Sequence, residues 1–146
     1  MSIKIKIFLV AIIALAGYLI IDLIIETEGE RVEAVIHSAK TMVEEEDLGL
    51  LDLIDPDFQY QEYGYEDVAN NLTDFYHRFD RIRIDLKIDR VLVTNSLAEC
   101  SLKARITGVL DSMPVLLFGE ILSRSPVVVR LRKKGGRWLI RRVDAS

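Results

Sequence analysis

Residues Ile7 to Ile21 form an uninterrupted run of 15 uncharged residues, IFLVAIIALAGYLII, and no other feature narrows the fold as much. Accepting Asp22 extends the run to Ile25, 19 residues in all. At the rise of an α-helix that is roughly 28 Å, close to the ~30 Å hydrocarbon core of a bilayer. The run is apolar on every side, which excludes an ordinary amphipathic helix lying on a soluble core. Lys4 and Lys6 flank its start, where their stems can snorkel, and Glu26, Glu28, Glu30 and Glu33 crowd its far side. This charge placement predicts a single-pass anchor in a cell (inner) membrane, with the N-terminus cytoplasmic and the following domain periplasmic or extracellular. Ala14-Leu15-Ala16 before Gly17 also has the form of a signal-peptidase site. Cleavage there would leave GYLIIDLII as a greasy head on a soluble protein, so a cleaved leader stands as the rival to the anchor.

The expected division is residues 1–26 as anchor and 27–146 as one domain. About 120 residues suffice for one hydrophobic core and not for two. Charge is unevenly spread. Residues 1–80 hold 5 Lys/Arg against 17 Asp/Glu, and residues 81–146 hold 14 against 6, which together give the net −4. An acidic helical layer facing a basic sheet would produce this split. The single cysteine, Cys100, excludes an intrachain disulfide and reads as a buried small residue.

After the anchor, Thr27-Glu28-Gly29-Glu30 has capping-box spacing and predicts a helix start. Val32, Val35, Ile36, Ala39, Met42 and Val43 recur at helical spacing to about Glu46. Asp47 to Asp55 reads as a second, short helix with Leu48, Leu51 and Ile54 on one side, closed by Pro56. Phe58 to Tyr63 alternates and predicts a strand. Glu66 to Phe79 returns to helical spacing, with Val68, Leu72, Phe75 and Phe79 on one face. From Ile82 to Asp89 the period is two, one face dry and one wet. Further strands are expected over Ala98–Leu110, Val127–Lys133 and Arg137–Val143, the last two joined at Lys134-Gly135-Gly136. Helices first and an antiparallel sheet last make an α+β pattern.

Three stretches carry a family resemblance: the opening helix leading to Asp55-Pro56-Asp57-Phe58, the aromatic helix Asp74-Phe75-Tyr76-His77-Arg78-Phe79, and the closing hairpin through Arg137-Trp138-Leu139-Ile140. Over roughly Glu28–Asp144 the chain resembles the nuclear transport factor 2-like (NTF2-like) superfamily, which includes ketosteroid isomerases and SnoaL-type cyclases. The resemblance implies a cone: three N-terminal helices packed on a curved antiparallel sheet. It also implies a ligand cavity inside the cone and a homodimer through the sheet. It specifies function poorly, because this fold hosts enzymes and non-enzymatic adaptors alike.

Enzymes of this fold place a carboxylate base, a tyrosine and a histidine or second acid inside the cone. The residues here that could do so are Tyr60, Glu62 and Tyr63 on the first strand and Tyr76 and His77 on the third helix. The alternative is that the tyrosines simply pack and Glu62 is a surface carboxylate. His37 and His77 are the only histidines, and no His/Asp/Glu set has metal-ligand spacing, so neither metal nor cofactor is expected. Asn71-Leu72-Thr73 fits a glycosylation triplet but falls mid-helix. Two surfaces stand out. Met113–Leu122, MPVLLFGEIL, reads either as a strand extension or core plug, or as an exposed lip that closes a ligand cavity, packs in a dimer or touches the bilayer. Arg81, Arg83, Lys103, Arg105, Arg130, Arg132, Lys133, Lys134 and Arg141 predict a basic sheet face that is solvated or docks an acidic protein or anionic lipid headgroups. Nucleic acid is not expected outside the cytoplasm. A binding or scaffolding module is therefore the first functional expectation, and an isomerase, cyclase or dehydratase acting on an apolar ligand is the second.

Overall fold

The computed structural model describes residues 2–24 and 27–145, with side chains described outside residues 18–26. Helix α1 runs Ile3–Ile24. Ile7, Phe8, Val10 and Ile13 on it are each more than 60 % exposed, and every described side chain from Ser2 to Ala16 is exposed. Among the described residues no helix is both long and apolar enough to cross a membrane. The expected Ile7–Ile25 span and its flanking Glu26 extend beyond the described residues.

Helix α2, Glu28–Glu44, starts where the capping signal places it. The Thr27 hydroxyl accepts from the Glu30 N–H at 3.1 Å. Val32 and Ile36 are its buried face. Glu45, Glu46 and Asp47 follow its last turn, where carboxylates oppose the helix dipole, and Glu46 turns left-handed at φ 57°. The expected second helix over Asp47–Asp55 is instead a six-residue 3₁₀ turn, Leu48–Leu53, capped by the Asp47 carboxylate on the Gly49 N–H. Leu50 is buried and Leu48 half exposed, while Leu51 and Ile54 of the expected face stay half-buried and buried. Pro56 does not close a helix either. It forces Asp55 extended and sits inside strand β1, Ile54–Tyr60, at an irregularity where no N–H is needed.

The expected Phe58–Tyr63 strand is split by a two-residue turn, so β2 is only Tyr63–Gly64. Helix α3, Tyr65–Arg78, follows, with Leu72 and Tyr76 buried and Phe75 stacked obliquely on Phe79, centroids 5.2 Å apart. The remaining strands are β3 Asp80–Thr94, β4 Leu97–Leu110, β5 Met113–Phe118, β6 Ser125–Lys134 and β7 Arg137–Ala145. Sheet order is β2-β1-β7-β6-β4-β3, with β5 paired to β4. One expectation is corrected: the sheet is mixed, because β1 runs parallel to β7. Strands far apart in sequence need no hairpin between them, so hairpin geometry does not fix their direction.

Strand β4 holds two partners on one side. Its first part, Leu97–Ala104, pairs with β6, and its second, Ile106–Leu110, pairs with β5. Gly119 makes the change of partner possible. Its φ is +91°, and a Cβ there would lie 3.0 Å from the Ala104 carbonyl oxygen.

The main core lies between α2 and the sheet, where Val32 and Ile36 meet Cys100, Leu131, Trp138 and Ile140. A second cluster joins Leu50, Leu72, Tyr76 and Ile82. Cys100 is fully buried, and burial pushes its thiol up to about 11. Two carboxylates pin the ends of α2. Glu44 accepts from the Ile84 N–H at 2.9 Å on the free edge of β3. Burial raises its pKa, but hydrogen bonds from Lys40 and Ile84 outweigh that and leave it lowered. Glu28 accepts from Lys133 Nζ at 3.0 Å and Trp138 Nε1 at 2.7 Å, fastening the start of α2 to the β6–β7 hairpin. These bonds hold the Glu28 carboxyl below its ordinary range. A lowered folded pKa gives stability that is complete above the unfolded-chain value near 4.5 and is lost as pH falls through the folded value. Glu28→Gln should therefore lower the neutral plateau of a stability-versus-pH curve and flatten its fall below pH 4.5, so that variant and wild type converge in acid, as read by urea titration at stepped pH.

Candidate functional site: an apolar cone mouth

The inward faces of the strands do not close over the core at one end. A cleft of ≈ 330 Å³ opens there, walled by Phe58 and Tyr60 from β1, Leu102 and Ile106 from β4, Phe118 from β5 and Val127 from β6, with Val143 and Ala145 at its lip. The alternation that places Leu102, Ala104 and Ile106 inward on β4 builds one wall. Ala104 leaves room because its side chain ends at Cβ. The volume falls in the range of small-ligand sites, about 300–1,000 Å³. The only polar side-chain atom in this lining is the Tyr60 hydroxyl.

The five residues expected inside the cone do not converge. Tyr60 alone lines the cleft. Glu62 is exposed in the β1–β2 turn, and Tyr63 is 46 % exposed. Tyr76 is buried in the second core cluster, where its hydroxyl donates to the Asp47 carbonyl at 3.0 Å. Burial, reinforced by Asp47 and Glu46, pushes its phenol up to about 12, so it stays neutral. His77 is exposed near the end of α3. The cleft lining therefore holds no general base. Among the described residues no group of three or more His, Cys, Asp or Glu is arranged to hold a metal ion.

The basic residues separate into two sets. Arg130 pairs with Asp144 and, at 3.6 Å, with Glu99. Arg132 forks onto the fully buried Asp55 at 2.7 and 2.8 Å and reaches Asp57 at 3.1 Å. Lys133 is taken by Glu28. These three knit the fold together. Arg105 donates to the Glu120 carbonyl and Arg83 to its neighbour's carbonyl. Arg81, Lys103, Lys134 and Arg141 are exposed. A shallow groove of ≈ 490 Å³ crosses the outer face along Gln59, Arg142, Arg130, Glu99 and Leu92, which are register neighbours from β1 to β3. Its charges largely neutralise one another.

Met113–Leu122, read as one apolar stretch, divides into β5 and a turn. The turn Gly119–Arg124 projects Ile121, 75 % exposed, and Leu122, 96 % exposed. Asn71-Leu72-Thr73 lies within α3, where Leu72 is core.

No family model matches the sequence, and no curated protein matches it. Solved structures do share the fold. An NTF2-like superfamily protein from Salmonella enterica serovar Typhimurium is 16 % identical, with a TM-score of 0.63 over 81 % of this chain and 89 % of that one. A conserved protein from Planctomyces limnophilus is 13 % identical, with a TM-score of 0.65 over 80 % and 95 %. A Bdellovibrio bacteriovorus protein is 13 % identical, with a TM-score of 0.65, and this chain spans 38 % of its length. At such identities the likeness shows the fold alone: α+β, with a curled sheet of NTF2-like form.

Proposed function

We propose that this chain is a membrane-tethered, non-catalytic binding module of NTF2-like fold that holds an apolar group in the mouth of its cone. The cleft carries the reading: it is apolar throughout, and its one polar side chain has no acid or base beside it in the lining. Burial of an aliphatic or aromatic group there needs no proton transfer. In this reading α1 is the anchor, spanning Ile7–Ile25 with the N-terminus cytoplasmic and the domain periplasmic or extracellular. The exposure of its described side chains, Ile3 to Ala16, favours lipid over protein as their surroundings, since large aliphatic side chains bared to water on every face of a helix are unfavourable.

Two measurements test the two halves. Full-length protein made in cells should resist carbonate extraction, and its domain should be digested only by protease added outside. Extraction into the soluble fraction at the size of a chain cut after Ala16 would establish the cleaved leader instead. For the cleft, a neutral solvatochromic dye such as Nile red should bind with a blue shift. Ala145→Trp at the exposed lip should weaken it on the order of tenfold, about 1.4 kcal/mol of lost burial. Tyr60→Phe should leave binding near wild type. Dye binding unaffected by Ala145→Trp would overturn the site. Turnover abolished by Tyr60→Phe in a substrate screen would replace binding with catalysis.

A further inference from the structure

The Gly119–Arg124 turn bares aliphatic side chains on a frame that cannot easily fold them away. The Glu120 N–H donates to the Ser123 carbonyl at 3.0 Å, and the Ser123 hydroxyl donates to the Glu120 carboxylate at 2.9 Å. Arg105 Nε donates to the Glu120 carbonyl at 2.9 Å, and Arg124 is held on Asp85 at 2.8 Å. Ile121 and Leu122 occupy the tip between these ties. A flexible loop could tuck such residues against the sheet. A turn braced at both ends holds them out, at a cost in exposed apolar surface.

A second observation lies beside the first. Lys103 shares a cleft with Ile121 and Leu122, and its partner directly across the β3–β4 ladder is Lys87. Like charges directly opposite each other destabilise a sheet. Both lysines are exposed, and neither forms an ion pair among the described residues. Of the nearby acids, Asp85 is engaged by Arg124 and Glu120 within its own turn, while Asp89 bears on Arg124 and pairs with neither lysine among the described residues. An aliphatic tip beside an unneutralised lysine pair is complementary to an anionic lipid surface, with acyl chains below and phosphates at the rim.

We propose that the Gly119–Arg124 turn is a lipid-contacting wedge, with Ile121 and Leu122 entering the outer layer of an anionic bilayer and Lys87 and Lys103 facing its headgroup phosphates. The proposal rests on the tether only for proximity. The wedge lies toward one end of β4, where Ala104 pairs with Ser125. The hairpin tied to Glu28 lies at the other, where Leu97 pairs with Arg132. Those ends are about 23 Å apart at strand rise. Both can touch lipid together when the domain lies along the surface. The cone mouth, which shares Phe118 and Ala104 with this end, then opens at the bilayer, where an apolar ligand would be found.

The test uses full-length protein carrying Leu122→Cys labelled with an environment-sensitive fluorophore. Cys100 is fully buried, so labelling is selective. Leu122 is almost fully exposed, so the fold is not at stake, which circular dichroism checks. The protein is reconstituted into vesicles of phosphatidylcholine alone or mixed with phosphatidylglycerol. In the mixed vesicles the label should shift to the blue and be quenched by brominated acyl chains. Lys87→Gln and Lys103→Gln should each reduce the docked-to-undocked ratio about fivefold. Protein that floats with vesicles but whose label stays in water in both compositions overturns the wedge and leaves the tether standing. Protein that fails to float with phosphatidylcholine, yet whose label is buried on added phosphatidylglycerol vesicles, upholds the wedge and overturns the tether. A blue shift that appears without lipid and grows with protein concentration assigns the tip to a protein contact and overturns the wedge.

Discussion

Trp138→Ala is expected to lower the unfolding free energy by about 4 kcal/mol, a large share of what a domain of this size possesses. Trp138 is 3 % exposed and is among the largest side chains in the cluster that joins α2 to the sheet. Truncation leaves a cavity walled by rigid strand backbone on one side and a helix on the other, and neither can collapse far into it. Its indole N–H is also half of the fastening on Glu28. The measurement is a urea midpoint at neutral pH with the slope unchanged. Trp138→Phe separates the two roles. It keeps most of the packing, so most of the stability should survive. It removes one of the bonds that lower the Glu28 pKa, so part of the acid-limb dependence should go with it. A Trp138→Ala midpoint within 1 kcal/mol of wild type would show that the α2–sheet core is not the main support of the domain.

Arg132→Ala is the second large effect, expected at about 3 kcal/mol. The reason is asymmetry. Asp55 is fully buried and its carboxylate takes both arms of the Arg132 fork, while Arg132 itself is a quarter exposed. Removing the arginine strands a charge in the interior, where only the Asp57 N–H still faces it. Asp55→Asn leaves the guanidinium able to turn to Asp57 and to water, so it should cost less than Arg132→Ala. The double variant Asp55→Asn with Arg132→Met should recover part of the loss, since no charge is left in the interior and the asparagine side-chain oxygen still accepts from the Asp57 N–H. Equal costs for the two single changes would refute the asymmetry and point to a merely geometric role.

These residues also show how much can be read from sequence. The strand from Ile82 to Asp89 is legible because a half-buried strand writes its period directly into its residues. The opening of α2 is legible because a cap is a four-residue event. Arg132 is not. Its alternation places it on the outer face, and nothing local says that a carboxylate 77 positions earlier sits opposite it. Tyr76 reads as a cone-lining candidate, yet its hydroxyl is satisfied by the carbonyl of Asp47, 29 positions earlier. Leu51 and Ile54 keep the expected face while Leu48 leaves it and Leu50 is buried, because a 3₁₀ turn and an α-helix differ by little over six residues. The cone mouth was half legible: β4 shows which side chains face inward. Which end of the cone stays open is set by where β5 leaves β4 and Gly119 reverses the chain, a long-range matter that no window of sequence contains.

The parallel pairing of β1 with β7 has a consequence for how the domain comes into being. Ile54 waits for Ile140, 86 positions later, and Asp55 waits for Arg132. Such pairings close long loops and slow the search for the native state. Ribosomes add about 5–20 residues per second, so several seconds separate the appearance of β1 from that of its neighbour. Through that interval Phe58 and Tyr60 have no sheet to join. A nascent chain built this way depends on whatever shelters half-made strands where it emerges, and shortening it before β7 would leave the first strand with only the two-residue β2 beside it.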